Sequence, residues 1–340
     1  MFDHSSNFKP CRPIIVIIYT MNTVSNQINP QVQWLEISDA NSEQRLDNFL
    51  IGYLKGVPKT RIYRMVRKGE VRVNKGRADV SYKLAVGDIV RIPPVRVAEK
   101  NQDIIIVQPT LRFSLENHII YEDEGFIVLN KPSGFAVHGG SGVNSGVIEA
   151  LRQIRPQQKF LELVHRLDKE TSGCLLIAKK RSVLKALHEL FRGDGVNKVY
   201  LALLAGQFNR KKQLVDVPLL KNINQGGERM VMVNQSGKSA ETLFTRLKQF
   251  QEATLVQAAP KTGRTHQIRV HAAWLGHPIV ADDRYGDDEV NKAFKKRGYK
   301  RLFLHAEQLR FAHPVSGAPL SFTAPLPEDL QALLDHEKPL

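Results

Sequence analysis

The chain has 340 residues, 42% of them apolar and 24% charged, which is enough for two ordinary globular domains. Its formal net charge of +15 favours a polyanionic partner, nucleic acid first, with an acidic surface or a merely basic soluble protein as the alternatives. The two cysteines, Cys11 and Cys174, exclude a disulfide framework and a CxxC metal site, and no apolar run reaches the roughly 18 residues of a membrane-spanning helix.

The first 20 residues imitate the start of a secretory signal peptide, because Lys9 and Arg12 precede an apolar run over residues 14–19. The run is short, and no small-x-small cleavage site follows Tyr19. We therefore expect residues 1–41 to be a disordered extension and the protein to be cytoplasmic, with a true signal peptide as the alternative.

Basic residues are concentrated in residues 45–100, which hold 14 lysines and arginines against five aspartates and glutamates. Within this segment, residues 59–69 predict a short helix with Thr60 as its N-cap and Gly69 as its stop. Its apolar stripe is expected to consist of Ile62, Met65 and Val66.

One face of this predicted helix is basic, because Arg61, Arg64 and Lys68 follow one another at helical spacing. Short strands are expected on either side of a turn at residues 74–76, over 71–73 and 88–92. A solvated charged face is the alternative, but the clustering favours a surface that follows the phosphates of a nucleic acid.

Three stretches of this segment resemble the small S-four-type RNA-binding domain: residues 45–50 (RLDNFL), 67–74 (RKGEVRVN) and 84–88 (LAVGD). The resemblance places this domain over residues 42–92. It implies recognition of structured RNA by shape and backbone. The RNA-binding residues are then expected to be Arg61, Arg64, Lys68 and Arg72.

Pro93 and Pro94 end the first domain, and residues 93–115 are expected to form a linker. A larger α+β domain is expected over residues 116–335. Its clearest elements are strands over 119–121, 126–130 and 198–205 and a helix over 182–192. The glycine-rich residues 138–146 lack the arrangement of a phosphate-binding loop and are expected to be a flexible loop that contacts RNA.

The densest group of reactive side chains is HRLDKETSG, at residues 165–173, which sets Asp168 between Arg166 and Lys169 ahead of an apolar run. A loop anchored by a buried strand can hold a carboxylate rigidly at a cleft. The alternative is that Asp168 only caps a turn.

A second group, residues 261–271, leads into a predicted helix that ends at Gly276. We expect the first turn of this helix to present Arg264 and Arg269 to an anion. His266 and His271 are five residues apart, which is not the spacing of a helical zinc pair, so no metal site is expected. Both histidines are expected to be satisfied internally or to face RNA.

Five motifs together resemble the RluA-type pseudouridine synthases: residues 131–134 (KPSG), 165–173 (HRLDKETSG), 198–200 (KVY), 262–271 (TGRTHQIRVH) and 304–306 (LHA). The resemblance implies a central, mostly antiparallel mixed sheet flanked by helices. It also implies that selected RNA uridines, several of them in 23S ribosomal RNA, are converted to pseudouridine without cofactor or metal. A monomer is expected.

The resemblance also implies roles for individual residues. Asp168 matches the catalytic aspartate that attacks the nucleotide, and Arg269 matches the arginine that pairs with it. Tyr200 matches the tyrosine that packs on the target base and takes part in the late proton removal. Arg166 matches the residue that fills the space left by the flipped base, and Ile268 matches an apolar position of the pocket.

Two other classes of function are considered beside this one. A non-enzymatic RNA-binding or assembly factor has no chemical need for the set of Asp168, Tyr200 and Arg269. A glycoside hydrolase needs two catalytic carboxylates. Glu170 is near Asp168 in sequence, but nothing in the sequence marks it as a partner.

Overall fold

The computed structural model describes residues 31–38, 41–54, 56–95, 115–139, 146–223 and 229–340. The signal-like residues 1–20, residues 96–114 of the predicted linker and residues 140–145 of the glycine-rich loop lie outside these ranges. The described chain forms two compact units, the first made of residues 31–36, 45–82 and 89–95 and the second of the remainder.

The first unit combines two short helices with a small sheet. Its elements in chain order are β1 (Gln33–Glu36), α1 (Leu46–Tyr53), α2 (Lys59–Arg67), β2 (Arg72–Val73) and β3 (Ile89–Ile92). The sheet is antiparallel in the order β1–β3–β2. The sequence did not predict β1, which lies inside the expected disordered extension. Strand β1 is stabilised by pairing with β3, more than 50 residues later, and local sequence carries no signal of such a partner.

Helix α2 confirms the predicted apolar stripe, because Ile62, Met65 and Val66 are buried. Gly69 ends the helix with a left-handed backbone, φ +70°, as expected of a C-terminal stop. The predicted N-cap was wrong: the helix begins at Lys59, after Pro58. The ring of Pro58 presets the backbone angle, and its carbonyl accepts the first helical N–H groups.

The second unit is built on one large sheet. Its elements are β4 (Ile119–Glu122), β5 (Phe126–Lys131), α3 (Val147–Ile154), β6 (Glu162–Leu163), β7 (Ser172–Ala178), α4 (Arg181–Arg192), β8 (Val196–Ala205), β9 (Lys212–Asp216), β10 (Leu219–Ile223), β11 (Arg229–Val233), β12 (Glu241–Gln249), β13 (Ala253–Pro260), α5 (Gln267–Trp274), α6 (Asp288–Lys296), β14 (Leu304–Ala312), β15 (Pro319–Thr323) and α7 (Glu328–Asp335). The ten-stranded sheet runs β4–β5–β7–β14–β8–β13–β12–β9, with β6 on β7 and β15 on β14. Strands β10 and β11 form a separate antiparallel hairpin.

The sheet confirms the expected fold class: a mostly antiparallel mixed sheet with helices. The predicted strands near residues 119, 126 and 198 and the helix near 182 all exist, within a few residues of the expected bounds. Packing continues beyond the predicted domain end at 335, because the buried Glu337 carboxylate accepts a hydrogen bond of 2.6 Å from Tyr299.

Strand β7 lies in the interior of the sheet, between β5 and β14, with every residue buried, and it pairs in parallel with β14. Gly173 makes this pairing possible. Its φ of +108° is rarely open to other residues, and a β-carbon there would collide with the carbonyl oxygen of Ala306 on β14. The loop that precedes β7 is therefore tied to the middle of the sheet.

Gly173→Ala is expected to lower the free energy of unfolding by roughly 3 kcal/mol, because the added methyl strains the backbone and separates β7 from β14. Urea unfolding measures this loss. Gly263→Ala is the matched control, since a β-carbon at Gly263 meets no atom within 4 Å. Equal stability of the two variants would contradict a special role for Gly173.

Candidate active site

A cleft of about 540 Å³ lies between the loop before β7, strand β8 and the segment that leads into α5. The residues of the second unit that the sequence predicted to act on the base or to contact RNA all line this one cleft: Arg166, Asp168, Tyr200, Arg264, His266, Ile268 and Arg269. A larger cavity of about 780 Å³, beside Lys131 and Arg301, contains none of them. The smaller cleft is therefore the candidate active site.

The loop that carries Asp168 is held from below by a buried lysine. The Lys131 ammonium donates to three backbone carbonyls at 2.9–3.1 Å, one of which belongs to Lys169. Ser133 adds a hydrogen bond of 2.7 Å to the carbonyl of Glu170. Burial lowers the pKa of Lys131 to about 7. The KPSG segment thus supports the backbone of the loop directly after Asp168, at Lys169 and Glu170.

The far end of the loop is tied to β14. The Ser172 hydroxyl lies 2.9 Å from Nδ1 of the buried His305, whose Nε2 lies 3.1 Å from the carbonyl of Ala324. Because a carbonyl can only accept, His305 carries its proton on Nε2 and accepts from Ser172 at Nδ1. Burial lowers the pKa of His305, which favours this neutral form.

Arg269 joins Asp168 to a second, fully buried carboxylate. Its guanidinium binds both oxygens of Asp282, at 2.7 and 2.8 Å, while Nη1 lies 3.4 Å from Oδ2 of Asp168. Burial by itself raises the pKa of Asp282, but the two hydrogen bonds from Arg269 keep that pKa below its ordinary value. Asp282 therefore anchors the cation, and Asp168 stays partly exposed at the cleft.

His266 flanks Asp168 on its other oxygen, with Nε2 at 3.8 Å from Oδ1. Its backbone is left-handed, φ +52°, and α5 begins only at the next residue. The prediction that Arg264 lies in the first turn of this helix was therefore wrong. Arg264 precedes His266 in the chain, and the left-handed backbone of His266 prevents the helix from extending back to Arg264. Arg269 does lie in that turn.

Tyr200 and Ile268 belong to the apolar part of the cleft. Tyr200 is half-buried on β8, and burial raises the pKa of its hydroxyl, with the negative charge of Asp168 adding to the effect. Ile268 is 6% exposed. A planar base can lie against such a surface while its reacting edge faces the carboxylate.

The rim of the cleft is cationic. Arg166 is exposed, and its Nη2 lies 2.5 Å from the Thr265 hydroxyl. Six lysines and arginines line the cleft against two acidic residues, Asp168 and Asp194. These cations are Arg166, Arg192, Lys198, Lys261, Arg264 and Arg269. Such a charge balance attracts a polyanion.

His271, the second histidine considered for metal binding, is buried between the Thr242 hydroxyl at 2.9 Å and the Val217 carbonyl at 3.2 Å. Of the two roles expected for this histidine, the structure confirms the first: both ring nitrogens have hydrogen-bond partners inside the protein. Within the described ranges, no three His, Cys, Asp or Glu side chains form a group that could hold a metal ion. No described helix is long and apolar enough to cross a membrane.

Sequence reasoning missed two residues of the site, Asp282 and Tyr285. The Tyr285 ring lies under the guanidinium of Arg269 at 5.1 Å, and its hydroxyl lies 2.8 Å from Nδ1 of His266. Nothing in the surrounding sequence DDRYG separates the buried Asp282 from the exposed Asp283 beside it. Only the long-range contact with Arg269 identifies which carboxylate belongs to the site.

Two families match parts of the chain. Residues 44–90 match the S4 domain, and residues 125–274 match the RNA pseudouridylate synthase family. The first match covers α1, α2 and most of the basic segment. The second covers the Asp168 loop, Tyr200 and Arg269.

Curated relatives match nearly the whole chain. The chain is 56% identical over 307 residues to "Ribosomal large subunit pseudouridine synthase C" of Haemophilus influenzae, covering 90% of this chain and 95% of that protein. It is 53% identical over 307 residues to the protein of the same name from Escherichia coli K12, covering 90% and 96%. Among solved structures, "Human RNA Pseudouridylate Synthase Domain Containing 4" is 27% identical with a TM-score of 0.56, covering 66% of this chain and 95% of that one.

Proposed function

Because this chain belongs to the RNA pseudouridylate synthase family, we propose that it isomerises specific uridines of large-subunit (23S) ribosomal RNA to pseudouridine. The observation that carries this proposal is the Asp168–Arg269 pair, 3.4 Å apart, in a cationic cleft with Tyr200. Tritium release from RNA labelled at uridine C5 tests the activity, and mapping pseudouridines in ribosomal RNA from cells with and without the protein tests the substrate.

The reaction exchanges one glycosidic bond for another. We propose that Asp168 acts as the nucleophile while the bond between N1 of uracil and C1′ of ribose breaks. The freed uracil turns, C5 bonds to C1′ in place of N1, the carboxylate is released, and the proton on C5 is lost as N1 gains one. The product contains the same atoms as the substrate, so the reaction consumes no second substrate. We propose that it needs neither cofactor nor metal.

The other residues of the cleft are assigned by what they can touch. Arg269 offsets the cost of burying the Asp168 charge against ribose and base. A base cannot react inside a stack, so it must be flipped out, and we propose that the exposed Arg166 fills the space it leaves. Tyr200 and Ile268 then enclose the flipped base, and Tyr200 takes part in the removal of the C5 proton.

Two alternatives lose support from the geometry. A glycoside hydrolase would need a second carboxylate paired with Asp168, but Glu170 lines the other cavity and Asp282 is occupied by Arg269. The other acidic residue of the cleft, Asp194, interacts electrostatically with Lys198 and Lys261. A non-enzymatic RNA-binding factor would not need Asp168, Tyr200 and Arg269 in one cleft.

RNA binding is proposed to be shared between the two units. In the first unit, α2 presents Arg61 and Arg64 to solvent, and Lys68, directly after the helix, is also exposed. Arg72 is also exposed, but its guanidinium already donates to the carbonyls of Gly69 and Lys75 at 3.2 and 3.3 Å. We therefore expect Arg72 to order the turn as well as to meet RNA. In the second unit, Arg264 and His266 are proposed to contact RNA at the cleft.

The basic face of α2 has a measurable consequence. Replacing Arg61, Arg64 and Lys68 by glutamine is expected to weaken RNA binding and to make the slope of log K against log[salt] less steep by roughly 2, because fewer counterions are released. Filter binding over a range of salt concentrations measures the slope. Glutamine at Lys292, Lys295 and Lys296 on α6 removes the same charge elsewhere and is the control. An unchanged slope in the first variant would remove α2 from the interface.

We further propose that the protein acts in the cytoplasm as a monomer. The proposed location in the cytoplasm rests on the name of the curated relatives, which refers to the large ribosomal subunit. The proposed monomeric state rests on the sequence, which predicts no coiled coil. Light scattering of the purified protein tests the monomeric state.

A further inference from the structure

Tyr285 joins three parts of the second unit at one side chain. Its hydroxyl lies 3.1 Å from the backbone nitrogen of Val231 on β11 and 2.8 Å from Nδ1 of His266. Its ring packs edge-on against the His266 ring at 5.5 Å and under the guanidinium of Arg269 at 5.1 Å. Tyr285 thus contacts both residues that flank the Asp168 carboxylate, although Tyr285 itself does not line the cleft.

The direction of these hydrogen bonds follows from the available protons. The Val231 N–H can only donate, so the Tyr285 oxygen accepts it. The hydroxyl hydrogen then has Nδ1 of His266 as its acceptor, at 2.8 Å. A neutral imidazole that accepts at Nδ1 carries its proton on Nε2. That Nε2 is the atom 3.8 Å from Oδ1 of Asp168.

The backbone of His266 shows that this placement is held against a local cost. A left-handed conformation is uncommon for residues other than glycine and is strained, so it persists only where surrounding contacts maintain it. The left-handed residue comes directly before α5 and brings the imidazole to the cleft.

We propose that Tyr285 is a positioning residue: its hydroxyl fixes His266 as the neutral tautomer with Nε2–H directed at Asp168, and it ties this arrangement to the backbone of β11. The proposal rests on the proposed function only where it treats Asp168 as the nucleophile. Arg269 would hold one carboxylate oxygen, and the Nε2–H of His266 would face the other across 3.8 Å, an electrostatic contact longer than a hydrogen bond, so the carboxylate favours one orientation as it attacks.

The surroundings of His266 favour the neutral form of its imidazole ring. Burial lowers the pKa of His266, and it outweighs the attraction of the nearby carboxylates. Donation from Tyr285 to Nδ1 adds to this effect, because a protonated Nδ1 could not accept it. Loss of that donor is therefore expected to raise the pKa of His266. The charged groups that face the ring are Asp168, Arg269, Arg284 and Asp282.

Tyr285→Phe tests the proposal, because it removes the hydroxyl and keeps the ring under Arg269. We expect kcat for tritium release to fall about 10- to 100-fold, as for residues that orient a reacting group, with KM within about twofold. In nitrogen-15 spectra of the histidine side chains, His266 is expected to lose its preference for the Nε2–H tautomer and to titrate at higher pH. Tyr299→Phe, which removes another buried hydroxyl outside the cleft, is the matched control and should change neither property.

A second variant tests the same link from its other end. His266→Asn suits the left-handed backbone, assigns the His266 signal by deleting it, and should lower kcat to a similar extent. The double variant should be no slower than the slower single variant, because both changes break one connection. Additive losses, or a Tyr285→Phe protein with wild-type kcat and tautomer, would overturn the proposal. Absence of tritium release from the wild-type protein would instead refute the proposed function, and the spectra would still decide whether Tyr285 sets the tautomer.

Discussion

Asp168→Asn is expected to lower tritium release from RNA labelled at uridine C5 by about 1,000-fold or more, because an amide cannot replace the carboxylate as a nucleophile. The change keeps the shape of the side chain and removes one negative charge from a cationic cleft, so RNA affinity should be retained or slightly increased. Single-turnover tritium release and filter binding on the same RNA separate the two effects.

Glu170→Gln is the matched control for this experiment. Glu170 is two residues away in the same loop, but its side chain lines the other cavity and is paired only loosely with Lys169, at 3.8 Å. Its loss should change the rate less than about twofold, as for an exposed ion pair. Tritium release by Asp168→Asn at the wild-type rate would remove Asp168 from the chemistry. A large loss in Glu170→Gln would revive the two-carboxylate alternative.

Asp282→Asn is expected to lower the free energy of unfolding by about 3 kcal/mol and the rate of tritium release by about 10- to 100-fold. The guanidinium of Arg269 would lose a buried, bidentate partner and be left with uncompensated charge. Arg269 would then no longer be held toward Asp168, which explains the second loss. Urea unfolding and tritium release measure the two effects.

The neighbouring carboxylate offers the control. Asp283 is 75% exposed and pairs with Lys295 at 2.9 Å, so Asp283→Asn should cost less than about 1 kcal/mol and leave the rate unchanged. The folded state lowers the pKa of Asp282, so the stabilisation it provides is complete above the ordinary aspartate pKa of about 4 and declines as the pH falls below it. A stability difference between wild type and Asp282→Asn that grew on acidification would contradict this account.

Much of the fold follows from local sequence patterns. The stripe of Ile62, Met65 and Val66 predicts the buried face of α2, and the apolar run at 174–178 predicts a buried strand. Strand β1 escaped prediction because it has only four residues, of alternating burial, and its stability depends on pairing with β3. The start of α5 was misplaced because the left-handed backbone of His266 leaves no mark in the residue pattern.

The sequence by itself was enough to propose the reacting groups, because Asp168, Tyr200 and Arg269 each stand in a recognisable local motif. Only the tertiary structure decided what holds these groups in place. Asp282 and Tyr285 reach Arg269 and His266 through the packing of the chain that follows α5, and Lys131 and His305 reach the Asp168 loop across strands of the sheet. The same packing concentrates part of the net charge of +15 at the site, because six lysines and arginines from separate segments of the chain line one cleft. Side-chain partners far apart in the chain depend on strand register and sheet order, which no local pattern encodes.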